Sequence, residues 1–126
     1  GSCMTALCLK FSRLLAIELE SLQEELELLL QTLDRRLKDH EITEYVRNEN
    51  YVVLKNEIMG LRDFLNSGCS VDSDEITTPD EAAAAAKEVI RQRLTEHGYV
   101  PALYLLVANR VDKIATYLKL DLQVIQ

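Results

Sequence analysis

The side chains best suited to move protons are His40 and His97, the only histidines among 126 residues. His97 follows Arg91 by six positions. An arginine beside a histidine on one helix could polarise a phosphate while the imidazole transfers a proton. A plainer reading carries more weight: His97 falls where a helix is expected to end, and a histidine there is favoured by the negative end of the helix dipole. No basic groove accompanies the pair. His40 likewise falls at an expected turn, with no Cys or second His at metal-ligand spacing.

The Arg91-x5-His97 spacing resembles the loose Arg-x5-His pattern of HEPN ribonucleases, over seven residues only. That resemblance implies a small helical enzyme whose Arg91 and His97 converge across a dimer. Other candidate chemistry is weaker. Glu18, Glu20, Glu24, Glu25 and Glu27 form a one-sign run, but no Glu-x-x-His pair of a di-iron bundle occurs. The run reads as a solvated acidic flank; alternatively Glu18 and Glu25, flanking a leucine seam, select a basic partner helix. Asp72, Asp74 and Glu75 lack the glycine and spacing of a calcium loop. Thr78-Pro79 has the form of a proline-directed phosphorylation site, but Thr78 is needed as a helix cap. Cys8 lies among apolar residues and reads as a small core side chain, while Cys69 is the expected reactive thiol. No catalytic residue, cofactor site or metal site is expected, and the chain reads as a non-enzyme.

Composition agrees. A net charge of −7 arises from 21 acids and 14 bases, and acid exceeds base in both halves. Nucleic-acid binding needs a basic face, so neither nucleic acid nor an anionic membrane is an expected partner, and no small-molecule substrate is evident. Three scattered cysteines fit reduced, intracellular thiols better than a disulfide scaffold, with the cytoplasm favoured over the nucleus. The longest apolar stretch, Val100–Ala108, is far too short to span a bilayer. Gly1-Ser2 reads as a cloning remnant, and residues 3–126 as one helical domain excised from a longer chain.

The elements that would position these residues are helices. Leu15, Leu19, Leu22, Leu26, Leu29 and Leu33 step by 4, 3, 4, 3 and 4, the seam spacing of coiled coils. The register fails after Leu37 and restarts at Ile42, Tyr45 and Val46, continuing through Val52, Val53 and Met59. This phase jump predicts a turn over Lys38–Glu41 with Asp39 as a cap; a continuous rod with a stutter is the rival reading. Asn66-Ser67-Gly68 predicts a stop, residues 68–77 an acidic linker, and Thr78-Pro79-Asp80-Glu81 a capping box opening a third helix. His97-Gly98 closes it and Pro101 opens a fourth, striped by Leu103, Val107, Val111, Ile114 and Leu118.

The expected fold is an all-α, antiparallel four-helix bundle. It has a long N-terminal coiled-coil-like hairpin and a shorter C-terminal helix pair, with helices at about 5–38, 42–66, 79–97 and 101–119. At 1.5 Å per residue these are roughly 51, 37, 28 and 28 Å long. The shorter pair should cover residues 7–25 of the first helix, surround its N-terminal half, and leave the Leu26–Leu37 end to helix two. The expected function is a non-catalytic protein–protein interaction or homo-oligomerisation module, with a regulatory adaptor for an amphipathic partner helix as the alternative. Its expected partner-binding residues are Leu26, Leu29, Leu30, Leu33, Leu37, Ile42, Tyr45 and Val46. The partner would be a second copy or another helical protein.

Overall fold

A computed structural model describes residues 6–66, 75–98 and 101–125. Among them the chain forms four helices, α1 (Ala6–Lys38), α2 (Glu44–Asn66), α3 (Pro79–Glu96) and α4 (Pro101–Ile125), in an all-α bundle. The hairpin reading, not the rod, describes α1 and α2. The fourth helix runs past the expected residue 119. Gly68, Cys69 and most of the expected linker lie outside the described residues, as do Gly1, Ser2, Cys3 and Tyr99.

Local chemistry explains each boundary. The Glu41 amide donates to the Arg36 carbonyl at 2.8 Å and the His40 amide to that of Leu37 at 3.1 Å. This is the Schellman pattern, and it places His40 at the left-handed position with φ 60°. The cap of α2 differs from expectation. Thr43, not Asp39, accepts the Val46 amide, at 3.2 Å, while Asp39 pairs backwards with Arg35. Asp39 still belongs to the closing turn of α1, and a cap must directly precede the first helical residues. At α3 the capping box forms as expected, with Glu81 donating its amide to Thr78 Oγ1 at 3.2 Å and its carboxylate accepting the Thr78 amide at 3.1 Å. Gly98, at φ 72°, ends α3.

Ion pairs fix how the helices lie together. On α1 and α2, Asp34 meets Arg47 and Glu27 meets Arg62; on α3 and α4, Asp80 meets Lys119 and Lys87 meets Asp112. On α1 and α4, Lys10 meets Asp121 and Glu18 meets Arg110. In each set the partners run in opposite order along the two helices, as in antiparallel neighbours. One core joins Cys8, Phe11, Leu15, Leu19, Leu22 and Leu26 of α1 to Ile58, Leu61 and Phe64 of α2 and to the apolar stripes of α3 and α4. The alanine run of α3 supplies Ala82, Ala83 and Ala86 to it, small side chains that permit a close approach.

Two expectations need correction here. The N-terminal half of α1 is not surrounded, because Leu9 and Ile17 are exposed. Arg62, one turn from the end of α2, pairs with Glu27, so α2 lies along the C-terminal half of α1 and leaves the other half to α3 and α4. The approach to α3 is not wholly polar either: Ile76 is buried in the core, and Pro79 behind it is buried too. These two apolar residues pin the start of α3 in place.

Candidate protein-interaction surface

Helix α2 carries apolar residues on two sides. One row (Leu54, Ile58, Leu61 and Leu65) joins or borders the core. The other consists of Tyr45, Val52 and Met59, spaced by seven, with Val46 and Val53 beside the first two. Seven residues turn an α-helix through nearly two full turns, so Tyr45, Val52 and Met59 form one row and Val46 and Val53 a second about 100° away, the two flanking Glu49 and Asn56 in one broad stripe. Helical phase places that stripe on the side of α2 turned away from the Leu54–Ile58–Leu61 row. All five are exposed, from 41% at Val46 to 73% at Tyr45. Five large apolar groups within fifteen residues of one helix form the kind of patch that marks a contact site.

The eight expected partner residues separate into three groups. Leu26 and Leu33 are buried, at 4% and 9% exposure, and belong to the packed side of α1. Leu30, Leu37 and Ile42 are half-buried, the last two lining an open depression of about 560 Å³ at the hairpin tip with His40, Glu41, Thr43 and Glu44. Leu29, Tyr45 and Val46 are exposed. Val52, Val53 and Met59 were absent from the expected set. Their signal was present in the sequence as the seven-residue spacing of 45, 52 and 59 and of 46 and 53, in phase opposition to the core row.

The hairpin that presents this stripe is fastened at its turn end. The Arg47 guanidinium donates to Asp34 Oδ1 at 2.6 Å and sits 4.2 Å from the centre of the Tyr51 ring. At its other end the Phe64 ring lies under Arg93 of α3, 5.4 Å from ring centre to guanidinium carbon. Glu57 is the one buried charged residue among the described positions, at 6% exposure. Burial pushes its carboxyl above the usual range, disfavouring the ionised form.

The acidic run has an internal use. Arg110 of α4 donates to Glu18 at 2.9 Å and also pairs with Glu25, while Lys113 lies 3.2 Å from Glu18. Burial raises the Glu18 carboxyl, but the hydrogen bonds and charges of Arg110 and Lys113 outweigh it and hold the group below its ordinary value. Glu18 and Glu25 are therefore paired with α4 within the chain, where a solvated acidic flank was expected. The same α1–α4 seam holds a groove of about 210 Å³ lined by Leu14, Ile17, Glu18, Lys113, Ile114 and Tyr117.

Arg91 and His97 do not converge within the chain. Six residues on one helix set them about 120° apart around the axis. Arg91 is paired with Glu88, and His97 is the C-cap, its amide bonded to the Arg93 carbonyl at 3.1 Å. Among the described residues no group of three or more His, Cys, Asp or Glu side chains could hold a metal ion, and no helix is long and apolar enough to cross a membrane. No protein-family description, no curated protein and no solved structure matches the chain.

Proposed function

We propose that this chain is a non-catalytic interaction module that self-associates by packing the outer stripe of α2 against a second copy. The observation that supports this reading is the double heptad row of Tyr45, Val46, Val52, Val53 and Met59, exposed on a helix whose opposite side is already committed to the core. A helix apolar on two sides is favoured by burial on both, and each large apolar side chain fully removed from water contributes about 1.5–3 kcal/mol. A homodimer is the simplest assembly, because a two-fold axis buries the same stripe on both copies. The chain's thiols suit a reducing, intracellular setting, and the excess of acid in both halves argues against nucleic acid.

Light scattering over a concentration series tests the reading. The expected mass is twice 14.3 kDa, falling to the monomer on dilution. Val53→Glu should return the protein to monomer with its helix content unchanged. A wild-type monomer at every concentration overturns self-association and leaves capture of a different amphipathic helix as the function. RNA cleavage that is lost in Arg91→Ala and in His97→Ala would overturn the non-catalytic reading.

A further inference from the structure

We infer that the hairpin face beyond the end of α3 docks an amphipathic helix of a different protein, with a lysine or arginine of that helix paired to Glu57. This goes beyond the self-association proposed above and concerns the side of α2 that continues the core. Val46 and Phe64 are 18 residues apart, five helical turns, and Glu57, 11 residues after Val46, falls within about 20° of the line joining them. Phe64 is covered by Arg93 of α3, while Val46 and Val53 are exposed. The ion pairs make α3 antiparallel to α2, and α3 ends at Glu96, about 4.5 Å past Arg93. Glu57 lies about 10.5 Å from Phe64 in the same direction, so it sits just beyond the last turn of α3.

Glu57 is what identifies the occupant. The residue is 6% exposed, and among the described residues it has no hydrogen-bond or ion-pair partner. No fully buried side-chain oxygen lacks a partner, so the Glu57 carboxylate oxygens belong to the small part of the residue that reaches the surface. An acid desolvated along its stem and unpaired at its head costs stability in the free chain, and a cation arriving from outside removes that cost. The negative end of the α3 dipole points to the same place and also selects positive charge. Above Glu57 the face is apolar: Val46 and Val53 of α2, and Leu29 of α1, which is in phase with the buried Phe11. Val46 to Glu57 spans about 16 Å, so three turns of helix laid in continuation of α3 cover it with the cation nearest α3. The α2 stripe of a second copy carries Glu49 and Asn56 along its centre and would bring an acid to Glu57, so the cation comes from a different protein.

The test is fluorescence anisotropy with a synthetic helical peptide of about 15 residues, leucine along one face and one lysine near its C-terminus, where its own dipole favours a cation. The titration uses a protein concentration at which light scattering gives the monomer mass, because Val46 and Val53 also border the outer stripe. The lysine peptide should bind about tenfold more tightly than the same peptide with glutamine there, and Glu57→Gln should abolish that preference with helix content unchanged. Val53→Ser should weaken both peptides, and Tyr45→Ser, on the outer row, should weaken neither. No binding of the lysine peptide, or a preference that survives Glu57→Gln, overturns the inference. Binding lost in Tyr45→Ser and kept in Val53→Ser does so too. A wild-type dimer that Glu57→Gln dissociates makes a second copy the occupant and equally overturns it. Self-association is read from the wild-type mass alone, so its failure is separate from these outcomes.

Discussion

Phe11 and Leu29 lie 18 residues apart on α1, five turns, and so point the same way, yet Phe11 is fully buried and Leu29 is 51% exposed. The same contrast runs down α2, where Val46 and Val53 are exposed and Phe64, in phase with them, is buried beneath Arg93. One helical face thus passes from core to surface along its length. The cause is the reach of the second helix pair. The ion pairs from α4 to α1 climb as far as Glu25, and Phe64 marks where α2 meets α3. Beyond those points the hairpin stands without the helices that cover the rest. Burial here is set by which neighbour is present, not by residue type.

The largest test of this comparison is to truncate both ends of the same face. Phe11→Ala should cost about 3–5 kcal/mol in urea unfolding, and Leu29→Ala under about 1 kcal/mol. Equal losses would mean that something covers Leu29 as fully as Phe11. Next comes the ion cluster that joins α4 to α1. Arg110→Met should destabilise by roughly 1–3 kcal/mol, since it leaves the shielded Glu18 carboxylate with only Lys113. The sign with pH follows from the lowered Glu18 value. Its contribution is present above the ordinary carboxylate range and is lost as pH falls through the depressed folded value, so wild type and Arg110→Met should converge in acid. Convergence at neutral pH instead would assign the effect to lost packing.

Glu57 sharpens the boundary itself, being on α2 where exposed Val53 gives way to buried Phe64. Its folded value is raised by burial, so the native state binds the proton more tightly than the unfolded chain. Stability therefore falls as pH rises from the ordinary carboxylate range through the raised value, and Glu57→Gln should remove that fall. The urea midpoint of the variant should exceed wild type at neutral pH and match it in acid. A neutral-pH loss would mean that the carboxylate makes a needed bond. The smallest effect is expected at the hairpin tip, where His40 holds a left-handed φ of 60°. His40→Gly should stabilise by roughly 0.5–1 kcal/mol, read by thermal unfolding.

Much of this fold is legible in the chain. The capping box at Thr78–Glu81, the His97-Gly98 stop and the leucine seam depend on residues within a few turns of each other, so local chemistry fixes them. The hairpin follows from the phase jump after Leu37, although the identity of its cap does not: Asp39 and Thr43 are both competent, and only the turn geometry selects Thr43. The candidate surface is harder to read. Leu26, Leu29, Leu30 and Leu33 look alike as a leucine run, but in the fold the first and last are buried and Leu29 is left open.

By itself the sequence determined that four helices form and where most of them start and stop, though not the cap of α2 or the end of α4. Those are matters of propensity, capping and period, which act over a few residues. The tertiary structure alone decided which row is core and which is surface, that α4 spends its Arg110 on Glu18 and Glu25, and that α2 stops short of the N-terminal half of α1. Each depends on how far one helix extends along another. Helix lengths and crossing positions set that reach, and no local rule encodes it.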